Sequence, residues 1–150
     1  MLPKFTRDGN LPPGVHAATW DEIVARFGGT ARRRQLLQGL QAALVHLRSA
    51  GCRRVYLNGS FVMAKEMPGD IDVAWEPTGV DVERLLEAEP VFGEFANRRA
   101  AQKAKYLCEF FPASFVADLA GSTFLEFFQT DKETGDRKGI LAIDLRRWQP

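Results

Sequence analysis

Tyr56-Leu57-Asn58-Gly59-Ser60, then a spacer from Phe61 to Gly69, then Asp70-Ile71-Asp72-Val73-Ala74-Trp75: this stretch decides the fold. The first run is apolar and ends on a glycine, the pattern of a strand entering a turn. The second alternates acid and apolar side chains, the two-residue period of a strand with one face in a core. Ile71 and Val73 then point into the core, and Asp70 and Asp72 share the opposite face. Two carboxylates fixed side by side repel each other. A divalent cation between them relieves the repulsion, and hard oxygen ligands suit Mg²⁺. Gly59-Ser60 adds backbone N–H groups, a hydroxyl and room for close approach of a phosphate.

Outward from this stretch, Thr19-Trp20-Asp21-Glu22 is a capping-box sequence and predicts a helix to about Phe27, stopped at Gly28-Gly29. Thr30 caps a longer helix over 31–50, with Leu36, Leu37, Leu40, Ala43, Leu44 and Leu47 as its buried stripe. Strands are predicted over Arg53–Asn58, Ile71–Trp75, Tyr106–Phe111 and Gly139–Leu145. Residues 61–69 read as a loop or short helical turn, Asp81–Glu89 and 91–104 as helical, and 130–138 as a charged turn. Ser122 or Thr123 caps a short helix through Phe128. Residues 1–18, with three prolines and two glycines, read as an extended N-terminal arm. The order predicts a single α/β or α+β domain over 19–150, a mixed β-sheet covered by helices.

The chain has 150 residues, 45% hydrophobic and 26% charged, enough apolar material for one real core. A formal net charge of +1 gives no global case for a nucleic-acid or membrane binder. Cys52 and Cys108 fit no zinc spacing and no disulfide framework, and read as buried thiols of a reducing compartment. Neither a signal peptide nor a membrane-spanning run is evident, so the expected location is cytoplasmic.

Several residues carry potential chemistry. Asp70 and Asp72 are the metal-ligand pair, set against the alternative of solvated strand acids. Gly59 and Ser60 suit phosphate, although a serine can simply cap the turn. Lys65, in the same loop, either neutralises phosphate or sits in solvent. Glu109 lies inside an otherwise apolar run, where a charge is costly unless paired or metal-bound. Its alternative is an edge-strand surface acid, and Asp118 and Asp144 are weaker rivals. The basic clusters Arg32-Arg33-Arg34, Arg53-Arg54, Arg98-Arg99 with Lys103 and Lys105, and Arg146-Arg147 read first as solvated faces and surface ion pairs. Residues 98–105 are the stretch best placed to bind RNA, because they lead into Glu109. His16 and His46 read as structural, and the aromatic residues mostly as core.

Leu57-Gly59-Ser60 followed by Asp70-Ile71-Asp72-Val73 resembles the signature of the polymerase-β-type nucleotidyltransferase superfamily. Leu11 to His16, Trp20-Asp21-Glu22, Phe27, Phe127 to Asp131 and Lys138-Gly139-Ile140 are similar to a group of small bacterial proteins within it, minimal nucleotidyltransferases in size. The resemblance implies Mg²⁺, as one or two ions, held by Asp70, Asp72 and a third carboxylate for which Glu109 is the candidate. It implies NTP phosphates on Gly59, Ser60 and Lys65, and transfer of NMP to a hydroxyl on a protein or RNA. Small members often belong to toxin–antitoxin or phage-defence modules, which implies a cognate partner protein. Two departures stand out: the third acid is Glu where Asp is usual, and the loop holds Lys65 where transferring relatives often have arginine. A non-catalytic nucleotide-binding or antitoxin-like protein of the same fold is the alternative reading, and a metal-dependent nuclease a third.

Overall fold

Thr19 accepts from the Glu22 backbone N–H and Glu22 returns a bond to the Thr19 N–H, so the capping box opens α1 (Trp20–Phe27) where the sequence places it. Thr30 opens α2 (Ala31–Ser49) with a one-way cap, its hydroxyl accepting from the Arg33 backbone N–H. In this computed structural model, which describes residues 1–150, five strands form one sheet. They are β1 (Gly14–Ala17), β2 (Arg54–Asn58), β3 (Ile71–Trp75), β4 (Cys108–Pro112) and β5 (Gly139–Asp144). Their order is β1-β5-β2-β3-β4. The outer pairs β1–β5 and β3–β4 are parallel, and the inner pairs are antiparallel, so the sheet is mixed.

The arm is therefore only partly an arm. Gly14–Ala17 joins the sheet beside β5, register Val15 to Ile140. Two prolines just upstream hide this short strand from a propensity reading. His16 meets the Pro12 carbonyl at 2.6 Å and fastens the segment, the structural role its position suggests.

The two sheet faces are covered unequally. Leu57, Val73, Phe110, Leu141 and Ile143 face α1 and α2 and form the main core with Leu36, Leu40, Leu44 and Leu47. Tyr56, Ala74, Phe111, Ile140 and Ala142 face a smaller aromatic lid carried by residues 124–128. Asp72 and Glu109 lie on that second face, beyond the lid's aromatic cluster, because their side chains alternate with Val73 and Phe110.

The parallel step from β3 to β4 needs a crossover, supplied by α3 (Val82–Ala88), a 3₁₀ turn at Pro90–Gly93 and α4 (Ala96–Tyr106). Here the structure departs from expectation. Tyr106 ends the helix instead of starting the strand, its hydroxyl donating to buried Glu89. Leu107 then adopts a left-handed conformation at φ 56°, donates to the Lys103 carbonyl and launches β4 at Cys108 with no loop. A glycine is the usual marker of such a helix end, and its absence conceals the boundary. The first turn of α4 is also unusual: Asn97, Arg98 and Arg99 all have φ between 54° and 58°. For L-residues that hand costs roughly 1–2 kcal/mol per residue.

The last helix is α5 (Phe124–Phe127), opened by a Thr123–Glu126 capping box. No helix is long and apolar enough to cross a membrane.

Candidate functional site

β2 and β3 pair antiparallel with Asn58 opposite Asp72, and β3 and β4 pair parallel with Asp72 opposite Glu109. That register sets the turn and the acids side by side. Oxygens of Asp70, Asp72 and Glu109 all lie within 4.8 Å of one another. Gly59, at φ 83°, passes so close that a Cβ built on it would lie 2.7 Å from an Asp72 carboxylate oxygen. The positive φ favours glycine there, and any Cβ would have to displace the Asp72 carboxylate. Asn58 is buried and its amide donates to the Asp72 carbonyl at 3.2 Å, fixing the strand from which Asp72 projects.

The electrostatics are those of crowded acids with cations around them. The Asp72 carboxyl is pushed up to about 7, first by burial, then by Asp70 and Glu109, with Lys132 and Lys138 opposing. Glu109 is raised as well, again chiefly by burial, while Lys103 and then Asp70 pull in opposite directions. Lys103 pairs with Glu109 at 3.4 Å. Lys138 is lowered by burial and Lys132, against the pull of Asp131 and Asp72. Sequence reading gives Lys132 no role and Lys138 only a place in the resemblance, not in the site. Their signal was the charged turn ahead of β5, which the antiparallel β2–β5 pairing delivers to the site.

The loop between the Gly-Ser turn and Asp70 is tied down by an unexpected device. The guanidinium of Arg33, buried at 6% exposure, donates to the carbonyls of Phe27, Phe61, Met63 and Lys65. Arg32 donates to those of Pro68 and Gly69. The expectation of a solvated basic face is corrected for this pair: both arginines project from α2 to hold the loop. The arm adds a bond from the Ala64 N–H to the Gly9 carbonyl. Lys65 contributes its carbonyl to the clamp while its side chain is exposed. Ser60 opens a 3₁₀ turn over Ser60–Val62.

The rivals to Glu109 have other work. Asp118 accepts from the Ser122 N–H, and Asp144 pairs with Arg146. Cys52 and Cys108 are buried free thiols, both raised above the usual thiol range mainly by burial. A cavity of about 750 Å³ lies at the other end of the sheet among Trp20, Arg53, Arg54, Asp144, Arg147 and Trp148. Its acid Asp144 is already paired with Arg146, and Glu22 is bonded to Thr19. Clustered like charges with the raised carboxyl groups of Asp72 and Glu109 occur at the acid triad, the signature of a functional site, and not in this cavity.

Fold and site together define a mixed α/β domain that presents three carboxylates and a glycine turn at adjoining strand ends. The chain belongs to the Family of unknown function (DUF6932), whose model matches residues 3–144. No curated protein and no solved structure matches it.

Proposed function

We propose that the protein is a Mg²⁺-dependent nucleotidyltransferase that moves NMP from an NTP to a hydroxyl acceptor. The carrying observation is the convergence of Asp70, Asp72 and Glu109 within 4.8 Å, with Gly59 packed on Asp72. The donor set fits the ion: three carboxylates, hard oxygen ligands at alternate and facing strand positions. Like charges at this spacing are unfavourable without a cation, and burial makes them more so. When bound, Mg²⁺ supplies charge neutralisation on the phosphate oxygens and a lowered pKa for the attacking hydroxyl.

The remaining work belongs to the chain. Gly59 and Ser60 offer N–H donors and a hydroxyl to the β- and γ-phosphates. Lys132 and Lys138 add positive charge on the β5 side. Glu109, raised above the usual carboxylate range, takes the acceptor's proton. The acceptor oxygen bonds to the α-phosphorus, the α–β bridging oxygen leaves with pyrophosphate, and the Arg33 clamp keeps the loop in register. The resemblance described above favours a role in a toxin–antitoxin or defence module.

A second reading has its own observation. Lys103 already neutralises Glu109, which suits a non-catalytic, nucleotide-binding or antitoxin-like member. Incubation with each α-labelled NTP, Mg²⁺ and cell lysate separates the two. The transferase reading expects label on protein or RNA, lost in Asp70→Asn and Asp72→Asn. Titration with NTP that shows binding but no transfer supports the second reading. Equal labelling by the Asn variants sinks the mechanism, and nucleic-acid cleavage without NTP turns the site into a nuclease.

A further inference from the structure

β2 starts at Arg54, roughly 13 Å along the strand from Asn58 and the acids, and β5 ends beside it at Asp144. The cavity at this end of the sheet, about 750 Å³, is of the size that holds a small organic ligand, about 300–1,000 Å³. Ala17 and Ala142, partners across β1 and β5, give it an apolar surface. The tail after β5 turns at once, the Arg147 N–H donating to the Asp144 carbonyl, and brings Arg147 and Trp148 to the same cavity as Arg53 and Arg54.

Four arginines line the cavity, and only one is spent. Arg146 makes a two-pronged bond to Asp144, at 3.0 Å and 3.1 Å. The guanidinium groups of Arg53, Arg54 and Arg147 pair with no carboxylate and donate to no carbonyl, although that of Arg54 stands 5.3 Å over the Tyr56 ring. Among the acids, Glu22 is held in its capping box, and Asp21 is exposed and unpaired. Three uncommitted cations around one space repel each other, and an anion between them removes the repulsion. Planar guanidinium forks match phosphate oxygens best.

Trp148 supplies an independent observation. It is 4% exposed, packed edge-on to Trp20 at 5.7 Å, and held by Arg48, which donates to its carbonyl. Its indole N–H is buried and has no acceptor in the protein. A buried donor left unmade costs about 1–3 kcal/mol, so a tryptophan fixed this firmly in that state calls for an acceptor from the cavity it lines. Asp21 calls for the reverse, a donor. A hydroxyl group serves as either.

We propose that this cavity is a second binding site, for a small phosphate monoester whose body carries hydroxyl groups. Arg53, Arg54 and Arg147 hold the phosphate, the body lies against Ala17 and Ala142, and its hydroxyls meet Asp21 and the Trp148 indole. The site is bounded and the chain's formal net charge is +1, so the anion is a small molecule and not a nucleic-acid backbone, which needs a basic surface running beyond the site. No metal takes part, and neither does the acid triad, so the proposal stands apart from the transferase reading.

Calorimetric titration in EDTA buffer with ribose 5-phosphate, AMP and inorganic phosphate tests it. The wild type binds ester, more weakly as salt rises. Arg54→Ala and Arg147→Ala each weaken binding roughly tenfold, the loss of about one charge-assisted hydrogen bond. Both side chains are exposed, so neither change opens the core. Asp70→Asn, at the acid triad, binds as the wild type does. In ¹⁵N-labelled protein the Trp148 indole resonance, identified by its loss in Trp148→Phe, moves downfield when ester is added. Binding of ribose 5-phosphate assigns recognition to the sugar phosphate, and binding of AMP alone assigns it to a nucleoside monophosphate. Either result upholds the site. The proposal is overturned by a wild type that binds neither ester, by inorganic phosphate bound as tightly as the esters, or by arginine variants that bind like the wild type. Binding lost in Asp70→Asn, or an unmoved Trp148 resonance in the presence of bound ester, overturns it equally.

Discussion

At the scale of the residue, Asp72 concentrates the physics of the site. Its carboxyl is raised to about 7, against an unfolded value of about 3.9. Between those values the folded chain holds a proton that the unfolded chain has lost. Stability is therefore highest below the lower value and falls as pH rises through about 7. Without divalent cation, the wild type should lose stability from pH 5 to pH 8. Asp72→Asn, which cannot ionise, should lose less and exceed the wild type by roughly 1–3 kcal/mol at pH 8, after allowing for partial solvent screening. Urea unfolding at the two pH values checks this, and a wild-type curve that stays flat contradicts it. Addition of Mg²⁺ should reverse the order, because a cation that binds only the folded site stabilises the wild type and not the variant. The acid pair and Gly59 were legible in the sequence because strand alternation and a glycine before a spacer are local signals. Glu109 was legible only as an acid in an apolar run, and the parallel register of β4 on β3 makes it a neighbour of Asp72.

At the scale of the element, the loop 61–69 shows what sequence patterns do not carry. Arg32 and Arg33 sit on a helix about thirty residues upstream of the loop carbonyls they bind. Nothing in a run of three arginines marks two of them as donors to the carbonyls of a distant loop. Left-handed Asn97, Arg98, Arg99 and Leu107 are equally silent, since each breaks the rule that glycine marks such positions. The caps at Thr19 and Thr30, by contrast, act within one turn and are legible in the sequence, and of the two candidates Ser122 and Thr123 the structure uses Thr123. The Arg33 clamp gives a test. Arg33→Met keeps the aliphatic bulk and removes the guanidinium, leaving up to four carbonyls without their donor. Loss of charge-assisted bonds at a buried site predicts destabilisation of roughly 2–4 kcal/mol. Hydrogen exchange should show the largest loss of protection at residues 59–69, together with weaker Mg²⁺ binding. Uniform loss across the sheet would mean that Arg33 supports the core and not the loop.

At the scale of the whole molecule, the site is a meeting of two units fixed to one sheet. The loop from Gly59 to Asp70 is anchored to α2, and the α4–β4 segment brings Glu109, Lys103 and Arg99. These units are held together where α2 touches the end of α4. Gly39 lies against the Tyr106 carbonyl so closely that a Cβ there would overlap it. Tyr106 in turn donates to Glu89 and packs edge-on to Phe110. Gly39→Ala would favour α2 locally, since alanine is the better helix former by about 1 kcal/mol. The overlap is with backbone, which cannot swing aside, and overpacking of this kind costs typically 1–3 kcal/mol. The variant should therefore be destabilised despite its gain in helix propensity, and thermal unfolding with and without Mg²⁺ measures both parts. Because α4 is displaced from α2 and carries β4 with it, the stabilisation conferred by Mg²⁺ should shrink too. If Gly39→Ala melts higher than the wild type, the helices are not in contact at this point. If it melts lower but keeps the full Mg²⁺ effect, the acids are positioned by the sheet alone, and the close approach of α2 and α4 serves stability and not the site.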